Sequence, residues 1–234
     1  IAAKLDDDFP ELVDALLETL YPHYLAPIPS MAIVQFAGQP DMTGPYVVAK
    51  GAELESEPVR GESCRFRTCY PAALWPITLE SAALTGRPLV APPNPRAADA
   101  AASLRLSLSC LAADMTFDQL QPDSLRFFLR GQPHQVFPLY ELLFNNTVSV
   151  ALADGADDPN PVILPADSIR PTGFGLDEGM LPYPPHAQAG YRLLTEFFAF
   201  PEKFLFFDVV NLSAKTLLAA GNKMDVFIYF NRAM

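Results

Sequence analysis

Three carboxylates come closest to a chemical site in this sequence. Asp154, Asp157 and Asp158 cluster in the segment DGADDPNP, and clustered carboxylates can bind calcium. The spacing differs from that of an EF-hand loop, however, and no glutamate closes the segment. Because Asp, Gly, Asn and Pro are also the residues that form turns, we predict a turn here and no metal site.

Histidine could supply acid–base chemistry, but His23, His134 and His186 lie far apart in the sequence and each follows a proline. A catalytic histidine needs a nucleophile or an orienting acid beside it, so we interpret all three as surface or loop residues. The sequence also contains no nucleophile elbow, phosphate-binding loop, dinucleotide fingerprint or HExxH motif. We therefore predict that the protein is not an enzyme and binds no cofactor.

The three cysteines, Cys64, Cys69 and Cys110, are few and odd in number. On an extended strand Cys64 and Cys69 would point to opposite faces, because their spacing is odd. No CxxC pair or neighbouring histidine suggests a metal site. We predict reduced, structural thiols of a cytoplasmic protein.

Arginines line the polar faces of two predicted strands. Arg65 and Arg67 lie on one strand, and Arg126 and Arg130 lie on the other. We favour plain solvation or an intramolecular ion pair for these side chains, and an acidic partner is the alternative.

The composition is unusually apolar and poor in charge. Of 234 residues, 50% are hydrophobic and only 18% are charged, and the mean hydropathy is +0.14. Either the core is large or a partner covers part of the surface. The net charge of −11 and the absence of a basic cluster argue against nucleic acid as a partner. No apolar run is long enough to insert into a membrane, and no signal peptide is visible.

Six phenylalanines within eleven residues make 191–208, YRLLTEFFAFPEKFLFFD, the most unusual segment. Before Pro201, the polar residues Arg192, Thr195 and Glu196 form one narrow stripe at helical spacing, so we expect this helix to be contacted on more than one side. After the proline, residues 204–207 resemble a strand. The candidates for structural or interface roles are Tyr191, Phe197, Phe198, Phe200, Pro201, Phe204, Phe206 and Phe207.

The remaining pattern predicts an α+β, β-rich fold, in which short antiparallel strands form a sandwich-like arrangement with a few helices. The 24 prolines separate strongly apolar segments, which favours rigid turns over disorder. A helix over 8–20 begins with a capping box from Asp8 to Glu11, and a second helix over 137–144 has Pro138 at its start. We predict an N-terminal helical segment, 1–30, and a β-rich domain, 31–234. The predicted strands are 31–36, 45–50, 64–70, 74–79, 104–111, 124–130, 147–153 and 225–230, and we interpret 86–102 as a loop or insertion. In 104–111 leucines alternate with Arg105, Ser107 and Ser109, which we expect on the outer face, and the apolar run in 225–230 is typical of a buried strand.

Several segments together resemble the TssF family, also called ImpG or VasA, of bacterial type VI secretion baseplates. They are KLDDDFPEL (4–12), LYPHYLAPIPSMAIVQF (20–36), CRFRTCYPAALWPITL (64–79), LRFFLRG (125–131), LYELLFN (139–145), MLPY (180–183) and GYRLLTEFFAFPEKFLFFD (190–208). The resemblance covers nearly the whole chain. Both ends look cut, so we expect an amino-proximal piece of a longer protein.

The resemblance implies structural work in the cytoplasm, on a baseplate docked at the inner-membrane complex. In this family two TssF copies join one TssG, with TssE, to make a wedge. Six wedges surround the spike and receive TssK, and the sheath and tube polymerise from this platform. The family pattern contains no catalytic residues.

Two other classes of function stay open. A ligand- or carbohydrate-binding β-sandwich module would expose aromatic side chains such as Trp75, Tyr140 and Tyr183 around a concave site. We predict instead that Trp75 belongs to the core, since it lies in a strand-like context beside Pro76. A chaperone or adaptor would present one exposed apolar groove.

Overall fold

The computed structural model describes residues 10–39, 41–184, 187–213, 217 and 221–234. It divides the chain into two compact units. The first contains Ile1–Val34 and Gly173–Phe204, and the second contains Gln35–Thr172 and Leu205–Met234. The predicted domain boundary at residue 30 stays a prediction.

A five-stranded antiparallel sheet forms the centre of the second unit. Its strands are, in spatial order, β5 (Ile77–Gly86), β6 (Ala102–Cys110), β12 (Lys223–Phe230), β8 (Thr147–Ala153) and β9 (Val162–Pro165). Strand β12 is flanked on both sides, and every residue from Met224 to Phe230 is buried. This confirms the prediction of a buried strand over 225–230, because a strand covered on both faces requires a continuous apolar run.

A second layer packs against this sheet. It contains the three-stranded sheet β10 (Ile169–Pro171), β11 (Phe206–Val209) and β7 (Leu125–Phe128), together with helix α4 (Pro133–Asn145). Leu104 and Leu106 of β6 share one buried cluster with Phe207, Val209 and Leu142 of the second layer. The sandwich-like α+β, β-rich class is therefore confirmed. The predicted alternation of β6 holds from Leu104 to Leu108, where the leucines are buried and Arg105 and Ser107 are half-buried. Ser109, predicted on the outer face, is buried and donates to Glu80.

Two antiparallel sheets of two strands each complete the described strands of this unit. Strand β1 (Tyr46–Val48) pairs with β4 (Ala72–Leu74), and β2 (Glu53–Glu55) pairs with β3 (Arg65–Arg67). Across β2 and β3, Arg65 Nε lies 3.5 Å from Glu55, and Arg67 Nη2 lies 3.4 Å from Glu53. These are the intramolecular ion pairs that the arginine pattern favoured, and both are exposed.

The loop over 86–102 is packed on the sheet. It contains a 3-10 turn, Pro95–Ala97, and buries Ala97 and Ala100. Buried Asn94 donates to Ser149 Oγ at 2.8 Å, and the Tyr229 hydroxyl donates to the Pro92 carbonyl at 2.7 Å. Burial of that hydroxyl raises the pKa of Tyr229 to about 12.

The described part of the first unit is helical. It contains α1 (Pro10–Leu20), α2 (Pro22–Leu25), α5 (Ala189–Ala199) and the start of a 3-10 turn, Pro201–Leu205. Helix α1 lies where leucine spacing predicted it, although Leu12, Leu16 and Leu20 are exposed. The predicted capping residue Asp8 lies outside the described residues. A further one-turn helix, α3 (Phe117–Leu120), belongs to the second unit.

Several sequence predictions of elements were wrong. The strand predicted over 74–79 is divided, since β4 ends at Leu74 and β5 begins at Ile77, on either side of Pro76. Residues 31–36 form no strand, because no neighbouring segment among the described residues pairs with them. Helix α4 begins at Pro133, with Pro138 inside it, because residues 133–136 already belong to the helix and bury Val136.

Candidate protein-interaction site

Helix α5 directs its charged side chains inward and its aromatic side chains outward. Arg192 is 5% exposed and Glu196 is fully buried. On the other side of the helix, Tyr191, Leu194 and Phe197 are about half exposed, and Phe198 is 81% exposed. We call Tyr191, Leu194, Phe197 and Phe198 the aromatic face. An amphipathic helix normally has the opposite orientation, so the buried charges need an explanation.

Glu196 is surrounded by donors. Its Oε1 accepts hydrogen bonds from the backbone N–H groups of Met180 at 2.7 Å and Leu181 at 3.0 Å. Its Oε2 forms an ion pair with Lys203, which is 1% exposed. A buried carboxylate is tolerated only where its lone pairs are satisfied in this way.

Arg192 completes the buried cluster. Its Nη1 donates to the Leu176 carbonyl at 2.8 Å and its Nη2 donates to the Gly175 carbonyl at 2.7 Å. The Arg192 Nε lies 3.9 Å from Glu196 Oε2, beyond hydrogen-bond distance. The guanidinium group therefore ties the loop over 173–183 to the helix mainly through carbonyl oxygens.

Glycines allow this loop to approach the arginine. A Cβ on Gly179 would lie 2.9 Å from Arg192 Nη1, so any side chain here would displace the guanidinium from its present position. Gly173 has φ +101°, a conformation that favours glycine, and its N–H donates to Glu178 Oε2 at 2.8 Å. The loop thus supplies the donors and acceptors that hold the polar side of α5 in the interior, and the aromatic face lies opposite.

The structure divides the phenylalanine tract into two groups. Phe204 and Phe207 are buried, and Phe207 stacks on Phe127 with a centroid distance of 5.3 Å. Phe206 lies beside Phe128 at 4.7 Å, while Phe200 and Pro201 are half-buried. The strand predicted over 204–207 begins only at Phe206, because the 3-10 turn extends to Leu205. The tract therefore combines core packing with an exposed surface.

The other candidate residues have local structural roles. Asp158 accepts hydrogen bonds from the N–H groups of Asp154 at 3.1 Å and Asn160 at 2.8 Å, which makes the acidic segment a turn. Among the described residues no group of His, Cys, Asp and Glu could hold a metal ion. Arg126 forms a bidentate pair with Asp208, with both distances 2.8 Å, and its guanidinium lies over the Tyr70 ring.

The histidines were predicted as surface or loop residues, but His23 lies in α2 and His134 lies in α4. His23 is half-buried among aromatic rings, with a centroid distance of 4.3 Å to Tyr183, and His134 is exposed. His186 lies outside the described residues. Trp75 packs against the main core, as does Tyr140. This placement supports the core prediction for Trp75 over a sugar-binding role.

Lys203 is the functional residue that sequence reasoning missed. Its spacing of seven residues from Glu196 was a signal, but Pro201 interrupts the helix between them. The burial of Arg192 and Glu196 depends on backbone groups of the loop over 173–183, which helical periodicity alone does not reveal.

Comparisons with known proteins agree with one another. The family model for the type VI secretion system protein TssF matches residues 1–234. The type VI secretion system component TssF1 of Pseudomonas aeruginosa (strain PAO1) is 34% identical over 242 residues, which covers 99% of this chain and 38% of the relative. A chain in the cryo-electron microscopy structure of the TssK–TssF–TssG baseplate subcomplex matches with a TM-score of 0.79 and 27% identity, covering 99% of this chain and 42% of that chain.

The chain thus spans about two fifths of the length of both relatives. In the part of the chain that the structure describes, no helix is both long enough and apolar enough to cross a membrane. The family match over the whole sequence, the identity to TssF1 and the shared fold agree with the resemblance noted above, and this chain belongs to the TssF family of the type VI secretion system.

Proposed function

We propose that this chain is a structural wedge subunit of the type VI secretion baseplate and has no catalytic role. It assembles with TssG and TssK, the proteins named in the similar subcomplex, and further with TssE, the spike and a second TssF copy. The assembly works in the cytoplasm and docks at the inner-membrane complex. There it supports polymerisation of the sheath and tube.

The observation that carries this proposal is the aromatic face of α5. Four large apolar side chains lie side by side on one helix, and buried ion pairs hold the opposite side in the interior. Exposed aromatic side chains on a rigid helix are typical anchors of a protein interface. Phe198 is the most exposed member, so we expect it to contribute most to binding.

Substitution of Phe198 tests the proposal. Purified full-length protein would be titrated with TssG and TssK from the same organism, and assembly followed by size-exclusion chromatography and calorimetry. We expect Phe198→Asp to weaken assembly by about tenfold or more, because a charge would be buried in an apolar contact. Wild-type affinity for this variant would contradict the assignment of the aromatic face.

Phe137 offers a matched control. It is 49% exposed and lies on α4, which belongs to the other unit. Phe137→Asp makes the same chemical change on a helix of the second unit, and we expect it to assemble as the wild type does.

A further inference from the structure

Strand β5 has one open side. It is the edge strand of the five-stranded sheet, and among the described residues it pairs only with β6. It is also ten residues long, and most of it is exposed. An edge strand of this length presents a row of unpaired backbone groups, which another strand can complete.

The register identifies which residues face the open side. The Leu111 N–H donates to the Pro76 carbonyl, and the Cys110 N–H donates to the Asn222 carbonyl, both at 2.9 Å. Residues of β6 therefore alternate between their two neighbours. Every second residue of β6, counted back from Leu111, therefore bonds to β5. Their partners on β5 are Thr78, Ser81, Ala83 and Thr85. The N–H and C=O groups of Leu79, Ala82 and Leu84 then point away from β6.

Two of these residues, Leu79 and Ala82, border an apolar groove. Leu79, Ala82 and Leu84 pair with Leu108, Leu106 and Leu104, whose side chains face the main core. A groove of about 220 Å³ lies beneath this edge, with Leu79, Ala82, Phe128 and Leu139 among its lining residues. Leu79 is 46% exposed, so apolar surface beside the open backbone groups is in contact with water.

The usual protection of an edge strand is weak on β5. The opposite edge, β9, has four residues and ends in Pro165. By contrast, β5 has no proline or basic residue, and its one acidic side chain, Glu80, accepts a hydrogen bond from Ser109 at 2.5 Å. A bulge between Leu79 and Ser81 is the only irregularity in its pairing with β6. Natural edge strands are normally blocked by prolines, charges or bulges.

We propose that β5 is a strand-addition site, which accepts an extended segment of another protein as a sixth strand. The open N–H and C=O groups would bind the backbone of that segment, and its alternate apolar side chains would enter the groove beside Leu79 and Ala82. Arg130 lines the same groove and is exposed, so an acidic residue on the segment would lie near a cation. This surface belongs to the second unit, whereas the aromatic face belongs to the first.

A different protein fits this site better than a second copy. The net charge of −11 opposes self-association. In addition, β5 of a second copy would bring only Glu80 as an acidic residue, and Ser109 already binds that carboxylate. The bulge would interrupt self-pairing in both strands at once.

Residue-resolved amide exchange tests the proposal on the intact protein. The probe is a fluorescent peptide of about ten residues, with alternating valine and threonine and one terminal glutamate. We expect it to slow exchange of the Leu79, Ala82 and Leu84 amides by about tenfold or more. The amides of Ala83 and Thr85, which bond to β6, should change much less. A peptide N-methylated at alternate amides should not bind.

Two variants separate backbone pairing from simple apolar contact. Ala82→Pro removes one outward N–H, which an edge strand tolerates, and should weaken peptide binding by about tenfold with an unchanged thermal midpoint. Ala83→Ser, at the adjacent exposed position, should bind as the wild type does. Arg130→Glu should weaken binding of the glutamate peptide and strengthen binding of a matched lysine peptide.

The outcomes are distinct. Protection of β5 that rises with protein concentration without any peptide would assign the edge to a second copy and overturn the proposal. Absence of protection, or protection only at other sites, would also overturn it. Because Phe198→Asp should leave peptide binding unchanged, this proposal and the proposed function can fail independently.

Discussion

At the scale of single residues, the cluster of Arg192, Glu196 and Lys203 decides how α5 is oriented. All three side chains are nearly or fully buried, and each charge has partners in the loop over 173–183 or in the cluster itself. Desolvation of such charges is costly, so the cluster is favourable only while it is complete. The cluster therefore gives α5 one defined rotation at the expense of stability that apolar side chains could have supplied.

We predict that Glu196→Gln lowers the free energy of unfolding by about 3 kcal/mol, because it leaves the Lys203 charge buried and unpaired. Urea denaturation measures this loss as a lower midpoint. The double variant Glu196→Gln with Lys203→Met should recover a large part of it, since both charges are then removed.

The control is Glu141→Gln, which breaks the exposed pair with Arg232 at a distance of 3.0 Å. Exposed pairs contribute about 0–1 kcal/mol, so we expect a change within that range. Equal losses for the two glutamates would contradict a special role for the buried cluster.

At the scale of elements, the three thiols report on different parts of the second unit. Cys64 is exposed next to β3, Cys69 is half-buried, and Cys110 is buried at the end of β6. Burial raises the pKa of Cys110 to about 11, because the thiolate would be desolvated.

We predict that iodoacetamide at pH 8 alkylates Cys64 quickly and Cys110 only when the central sheet opens. Mass spectrometry with increasing urea would follow each thiol. Because the folded state holds the Cys110 proton more tightly than the unfolded state does, this thiol contributes to the stability of the folded protein, and the contribution is complete below about pH 9. This contribution is lost as the pH rises from about 9 towards 11, because the unfolded thiol ionises first. Alkylation of Cys110 at the rate of Cys64 in the folded protein would contradict this picture.

The strands show which elements can be predicted from the sequence and which cannot. Period-two alternation predicted β6, and the continuous apolar run predicted β12, because both patterns report burial that the strand itself requires. Residues 31–36 carry a similar composition but have no pairing neighbour in the part of the chain that the structure describes, and pairing is a property of the tertiary fold.

Helix α5 illustrates a second limit. Its polar stripe was visible at Arg192, Thr195 and Glu196, but periodicity does not reveal which side of a helix meets the core. That choice depends on carbonyls and N–H groups about sixteen residues away in the chain, at Gly175, Leu176 and Met180. The aromatic tract was therefore recognised as important, while its division into buried and exposed rings required the structure.

At the scale of the whole molecule, two properties of the surface oppose each other. Large apolar side chains are exposed on α1 and α5, and Leu176 and Phe198 are each 81% exposed. Apolar patches of this kind favour association. The net charge of −11 favours separation, because like-charged copies repel. Whether copies of the chain associate should therefore depend on how strongly salt screens the repulsion between them.

We predict that the isolated chain associates as NaCl is raised, since the screening length falls from about 10 Å at 0.1 M to about 3 Å at 1 M. Static light scattering at fixed protein concentration measures the mean mass across the series. Phe198→Asp should suppress the increase, whereas Phe137→Asp adds the same charge to the second unit and should suppress it much less. Ala82→Pro should not change the curve, because the β5 edge is proposed to bind a different protein. A monodisperse monomer at every salt concentration would mean that the exposed apolar side chains are not an interface held apart by charge.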